Sequence, residues 1–180
     1  MNFKFYQLFR SLKEELGLEG AKKIFPEYET LPDKMAKEDQ INLAKILMKR
    51  LDDELDKDTV IAIRMEHPCG IPKPTKERIS EIKQAFNDDG RRLQAFFDHL
   101  QASYERISDN EYIVTWALKE CVCGVFRNLK DYGTISPTWC QCCNGHNKLM
   151  FETLLDREIK SELISGICAG EKVCSFRIII

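Results

Sequence analysis

Five of the chain's eight cysteines fall within the twenty-three residues from Cys121 to Cys143. The stretch reads CVCG, then CQCCNGH with sixteen residues between Cys123 and Cys140, and Cys69 stands upstream in EHPCG. A fold that accepts this sequence must gather thiols, and gathered thiols serve a metal, a disulfide, or a reactive sulfur with its resolving partner. Cys121 and Cys123 are two apart, as are Cys140 and Cys142. On extended strands, residues i and i+2 share a face, so each CxC would present two thiols together. Two such pairs side by side would form a four-sulfur, tetrahedral cage suited to zinc or iron. Cys121, Cys123, Cys140 and Cys142 are therefore the expected metal ligands, with Cys69 or His146 completing the set if one thiol points away. The competing reading is plain burial, because cysteine behaves as a small hydrophobe. Cys168 and Cys174, in the C-terminal tail, are read that way.

Cys143 raises a different chemistry. It directly precedes a helix expected from about Asn144, where backbone N–H groups and the helix dipole lower a thiol's pKa. His146 lies three residues on, one helical turn away, so Cys143 as nucleophile and His146 as base form a candidate catalytic pair. His67 is a candidate third member of a site, and His99 reads as a surface residue. Trp116 and Trp139, with Tyr112, Tyr132 and Phe126, would wall an apolar pocket beside the thiols. Arg127 or Lys130 could hold a carboxylate there.

The rest of the chain sets the frame. Phe5, Leu8, Phe9, Leu12 and Leu16 fall at helical spacing and stop at Gly17 and Gly20. Ile41, Ala44, Met48, Leu51 and Leu55 predict an amphipathic helix over about 37–55. Asp58 is expected to cap a helix ending near His67, because Pro68 disfavours helix in the residue before it. Thr75 is expected to cap the next helix, and a further one carries Leu93, Phe96, Phe97 and Leu100. After Gln101 the pattern turns β-branched and aromatic: YERI, the turn SDNE and YIVTWALKEC predict a hairpin whose second strand ends at the first cysteine pair. The tail predicts two strands joined by AGEK. The expected class is α+β, a single domain over 1–180, with a mainly helical part (1–101) packed on a small antiparallel sheet from a cysteine-rich part (102–180).

Charge and hydropathy exclude some functions. A formal net charge of −2, with Lys and Arg interleaved among Asp and Glu, leaves no footprint for nucleic acid. No run approaches the ~18 apolar residues of a membrane span, and the N-terminus lacks the apolar core and cleavage site of a signal peptide. The expectation is a cytoplasmic protein with reduced thiols, no membrane or nucleic-acid partner, a small-molecule ligand, and an oligomeric state left open up to a homodimer. No phosphate-binding glycine loop is present.

The segment from Lys119 to Ile180 resembles the end of 4-vinyl reductase-type domains. It is still more similar to proteins grouped with L-2-amino-thiazoline-4-carboxylic acid hydrolase. The resemblance is carried by KECVCG, by Phe151 and Glu152, and by the closing Gly170, Cys174, Phe176 and Ile178. It implies an α+β small-molecule-binding fold whose cavity is lined or capped by cysteines, with zinc in the first branch and opening of a thiazoline ring in the second. Three functions therefore stand side by side: a ligand-binding or sensor domain with a thiolate zinc or iron site, a cysteine-dependent hydrolase of a cyclic C–N or C–S substrate, and a thiol redox module.

Overall fold

The structure, a computed structural model, describes residues 3–116, 118–127 and 133–180. Tyr132 and Lys130, two of the candidate residues above, lie outside these. The N-terminal part is helical: α1 (Phe3–Ile24), α2 (Lys37–Glu54), α3 (Lys57–Glu66), α4 (Lys73–Ala85) and α5 (Asp89–Leu100). A hairpin of β1 (Ser103–Ser108) and β2 (Glu111–Trp116) follows, then α6 (Gln141–Leu155) and the strands β3 (Lys160–Ser165) and β4 (Cys174–Ile179). The four strands form one antiparallel sheet in the order β1-β2-β4-β3. This is the expected α+β architecture, with helices on a small C-terminal sheet.

Apolar spacing explains where the helices bury. The Phe5, Leu8, Phe9 and Leu12 face of α1 and the Ile41, Ala44, Leu47, Met48 and Leu51 face of α2 meet in one core with Phe25, Val60, Ile63 and Trp139. A second core joins Ile79 and Ile82 of α4, Phe96 and Phe97 of α5, and Phe151 and Leu154 of α6 to the inner face of the sheet. That face alternates as a half-buried sheet should: Tyr112 and Val114 on β2 pair with Ile178 and Phe176 on β4. Phe97 packs on Phe151 at 5.8 Å and on Tyr112 at 5.9 Å between ring centres.

Boundaries differ from expectation where local chemistry decides. The first helix does not stop at Gly17 but breaks there (φ 72°) and continues to Ile24. Asp56, not Asp58, caps α3: its side chain accepts from the backbone N–H groups of Asp58 and Thr59. Pro72 occupies the cap position of α4 in place of Thr75, since Pro74 fits the first turn where its missing N–H costs nothing. The second hairpin strand ends at Trp116, so Cys121 and Cys123 lie in a loop beyond it. A 3-10 turn over Pro137–Cys140 leads into α6, which begins at Gln141 rather than Asn144.

Leu163 of β3 packs against both cores, and α6, part of the second, crosses α3 at close range. A Cβ on Gly145 would lie 2.6 Å from the Met65 carbonyl oxygen, so this crossing needs a glycine. Beside it the buried Asn144 donates to the Ser161 carbonyl at 3.1 Å and accepts from the Ser161 hydroxyl at 2.6 Å, fastening α6 to β3. Gly145→Ala should therefore lower stability by about 1–3 kcal/mol, the usual range for overpacking against backbone. Urea unfolding of the variant beside the wild type checks this, and unchanged stability would mean that the crossing is loose.

Candidate functional site

Three segments without long regular structure deliver thiols to one place. The loop after β2 carries Cys121 and Cys123, the 3-10 turn before α6 carries Cys140, and a short 3-10 turn between β3 and β4 (Ile167–Ala169) carries Cys168. Their positions are tied down from the helices. Asp52 on α2 accepts from the hydroxyls of Ser136 and Thr138 at 2.6 Å each. Arg64 on α3, only 5% exposed, donates to the carbonyls of Thr138 at 3.3 Å and Trp139 at 3.0 Å. Its guanidinium also lies over the Trp139 ring, 4.8 Å from the centroid. The backbone N–H of Ile135 donates to the Cys168 carbonyl at 2.9 Å, joining the turn before α6 to the turn before β4.

The sulfurs form an open string. The Cys123 backbone N–H donates to the Cys121 sulfur at 3.3 Å and the Cys168 thiol donates to it at 2.9 Å, while Cys168 also interacts electrostatically with Cys140. The Trp139 indole donates to Cys123 at 3.4 Å. Gly166 leaves room for the Cys140 sulfur, which would lie 2.7 Å from a Cβ placed there. Among the described residues no three of these sulfurs lie within 4.8 Å of one another, so the string is not yet a cage. A cavity of about 220 Å³ opens onto Cys121 and Cys168.

The expected grouping of Cys121, Cys123, Cys140 and Cys142 is corrected in one member. Cys140 and Cys142 are not on a strand: they stand at the start of α6, where two residues turn the helix by about 200°. Cys140 faces Cys168, while Cys142 faces the other way, toward Cys69 and Lys4. There Lys4 donates to both sulfurs, to Cys142 at 3.1 Å and to Cys69 in a shorter contact. Cys168, read from sequence as a buried hydrophobe, takes the place of Cys142 in the string. The signal available was its position beside Gly166 and Gly170, a turn rather than a strand interior.

The thiols share protons unevenly. Hydrogen bonds from Cys123 and Cys168 hold Cys121 well below the ordinary thiol range, and the bond from Cys168 lowers Cys140. Cys123 and Cys168 are pushed up as the donors, with burial adding to the effect. On the other side, the bond from Cys69 lowers Cys142, helped by Arg64 and Lys4 against the cost of burial, and Cys69 is raised in return. Burial alone would lower the Lys4 ammonium, but the Cys142 and Cys69 sulfurs outweigh it and hold the charge. Among the described residues neither Lys4 nor Arg64 forms an ion pair with a carboxylate.

Cys143 and His146 line a separate cavity of about 170 Å³ between α6 and the ends of β2 and β4, with Trp116, Asn147, Cys174 and Phe176. Burial pushes the Cys143 thiol up, and the neighbouring Cys142 and Cys140 sulfurs add to this. The lowering expected for Cys143 from the helix start is therefore not found, and the lowered thiol is Cys142, through Cys69, Arg64 and Lys4. His146 has Nδ1 at 2.7 Å from the Cys69 carbonyl, which fixes that nitrogen as the protonated one. Two of these lining residues each have a polar atom buried without a hydrogen-bond partner: Trp116 Nε1, a donor, and Asn147 Oδ1, an acceptor. The Asn147 amide orientation follows from chemistry, because its Nδ2 donates to the Cys143 carbonyl at 3.1 Å. Each orphan group costs about 1–3 kcal/mol.

The remaining candidates disperse. Trp139 and Phe126 pack on each other at 5.7 Å in the first core, whereas Tyr112 belongs to the second, so they do not wall one pocket with Trp116. Arg127 and His99 are exposed. His67 pairs with Glu14, and with Glu66 their ligand atoms lie within 4.8 Å of one another, a group that includes none of the thiols. A larger cavity, about 460 Å³, is lined by Asp52, Lys57, Gln141 and Glu171 among others and touches none of the cysteines.

Fold and site together define an α+β domain with a thiol string beside an apolar cavity. The chain belongs to the family of unknown function DUF6144, whose model matches residues 2–180. No curated protein matches the sequence. Among solved structures, it is similar to a trafficking protein particle complex subunit 3 from Naegleria fowleri covalently bound to palmitic acid. That match has 14% identity, covers 80% of this chain and 96% of the other, and has a TM-score of 0.42. It is also similar to the IWP-051-bound H-NOX from Shewanella woodyi in the Fe(II)CO ligation state. Identity there is again 14%, with 99% and 93% of the two chains covered and a TM-score of 0.39. At this similarity neither speaks to chemistry. Neither the family description nor these two structures names the 4-vinyl reductase-type or thiazoline-carboxylate hydrolase proteins.

Because the folded Cys121 releases a proton that an unfolded thiol keeps, its thiolate contributes stability that is complete above the ordinary thiol value of about 8.5. That contribution is lost as the pH falls through the folded value of about 3. In metal-free protein, unfolding free energy should rise with pH across this window, and Cys121→Ser should flatten the slope. Parallel slopes for the two proteins would assign the thiolate elsewhere.

Proposed function

We propose that this is a cytoplasmic small-molecule-binding domain, of the sensor type, whose thiol string holds one zinc or iron ion through Cys121, Cys123, Cys140 and Cys168. The observation that carries the reading is the convergence of Cys121, Cys123, Cys140 and Cys168 from three separate segments, with the Cys168 and Cys121 sulfurs 2.9 Å apart. The thiols of Cys121 and Cys140 are both lowered there, which favours them as thiolates. Neighbouring thiolates drawn partly out of water are costly unless a cation offsets them. Arg64 lies near, but its donors engage the Thr138 and Trp139 carbonyls. A divalent ion would neutralise the thiolates and draw the ends of the string together, and zinc and iron both accept sulfur ligands. The cavity at Cys121 and Cys168 supplies an entry path. Cytoplasmic location is supported by eight cysteines that are all free thiols. Among the described residues, no helix is long and apolar enough to cross a membrane.

One arrangement favours the redox reading as the alternative. Cys121 with Cys168, and Cys69 with Cys142, are two separate close pairs, each able to lose two protons and two electrons to become a disulfide. The hydrolase reading has less support. Cys143 is held as the thiol, no hydrogen bond joins it to His146 among the described residues, and His146 Nδ1 is committed to the Cys69 carbonyl.

Metal analysis of protein purified without a histidine tag, under reducing and anaerobic conditions, tests the proposal. About one zinc or iron per chain is expected. Cys121→Ser and Cys168→Ser should lose it, while Cys142→Ser should retain it. Metal-free protein with an intact fold would sink the metal reading. A thiol count that falls by two or four under mild oxidant, and recovers with reductant, would then favour the redox one.

A further inference from the structure

Three segments meet at one nitrogen. Lys4, in the first turn of α1, donates to the Cys142 sulfur at 3.1 Å and, in a shorter contact, to the Cys69 sulfur. The arrangement is held from both sides. Cys142 and His146 stand one turn apart on the same face of α6, and His146 Nδ1 donates to the Cys69 carbonyl at 2.7 Å. From α1, Gln7 donates to the Pro68 carbonyl at 3.1 Å. The loop that carries Cys69 is therefore clamped between α1 and α6, with its sulfur and that of Cys142 on the same ammonium. Cys142 is only 5% exposed. Cys69 is half-buried and precedes Gly70, where an added Cβ would meet nothing within 4 Å. The pair is thus closed at Cys142 and open to small reagents at Cys69.

Lys4 depends on these sulfurs. Among the described residues it forms no ion pair with a carboxylate. Burial opposes its charge, and the two sulfurs outweigh burial. A disulfide carries no charge, and its sulfurs are weak acceptors. A cation that loses its compensation inside a protein is driven toward water. We infer that Cys69 and Cys142 form a redox latch on the N-terminal helix: a hydroperoxide oxidises the pair to a disulfide, and Lys4 is thereby released from the interior to solvent. With hydrogen peroxide the step balances. The two thiols give up two hydrogens and two electrons, the S–S bond forms, the O–O bond breaks, and two waters leave. Two equivalents of a small thiol reverse it by exchange, leaving as their own disulfide. The inference rests on the redox reading of this one pair and adds what that oxidation controls. It needs no metal in the thiol string.

Acetylation of amines in the full chain, before and after hydrogen peroxide, reads the latch. Peptide mass mapping follows Lys4 against Lys73, whose side chain is 87% exposed, and locates any disulfide. In reduced protein Lys4 should react at least about tenfold more slowly than Lys73, since each unit by which an amine's pKa is raised leaves about a tenth of its reactive form. Peroxide should link Cys69 to Cys142 and raise the Lys4 rate about tenfold, with Lys73 unchanged, and dithiothreitol should restore the slow rate. Cys69→Ala should abolish the response to peroxide, and Cys121→Ser should keep it. Two results would overturn the inference: Lys4 reacting as fast as Lys73 in reduced protein, or no Cys69–Cys142 disulfide at any peroxide concentration that leaves the chain folded. A Cys69–Cys142 disulfide that forms with Lys4 still slow also overturns the release, and leaves the redox reading of the pair standing. Metal content measured on the same samples keeps the proposals apart: a full response in metal-free protein supports the latch and not the metal site.

Discussion

A guanidinium buried among carbonyls and sulfurs is the contact on which the site depends. Arg64 sits on α3, buried against Trp139 of the first core, and among the described residues it forms no ion pair with a carboxylate. A buried cation must be met by hydrogen bonds and by compensating negative charge. The Thr138 and Trp139 carbonyls give the first, and the electron-rich face of Trp139 gives part of the second. The rest is supplied by thiolate character at Cys140 and Cys142, both lowered by this charge. Arg64 thereby does two things with one side chain. It fixes the turn that starts α6, and it favours ionised sulfur on either side of that turn.

The helical frame was legible because it rests on repetition. Ile41, Ala44, Met48 and Leu51 on α2, and Tyr112 and Val114 on β2, bury where their spacing requires, and the small antiparallel sheet follows from them. The site was legible in its composition but not in its grouping. Cysteine spacing announces that sulfurs will meet, yet which sulfurs meet depends on the local conformation. Had Cys140 and Cys142 lain on a strand they would share a face. At the start of a helix they diverge, and only the backbone conformation distinguishes the two cases.

Cys168 shows a second limit. It is about thirty residues from Cys140 and more than forty from Cys121, and it lies in a tail that alternates like strands. Its part is set by the Ile135 N–H meeting its carbonyl and by the space at Gly166, contacts between segments distant in sequence. Lys4 is hidden for the same reason. Near the N-terminus it reads as one more solvated charge on an amphipathic helix, and only the packing of α1 beside the HPCG loop brings it to Cys69 and Cys142.

The opposed directions of Cys140 and Cys142 have a mechanical consequence. The junction of the 3-10 turn with α6 carries a sulfur of the string on one flank and the Lys4-bound sulfur on the other, while Gly145, a turn further on, leaves no clearance against α3. That junction is a short axle with a fixed bearing. Rotation that advances one sulfur withdraws the other, so the two thiol groups cannot be repositioned independently.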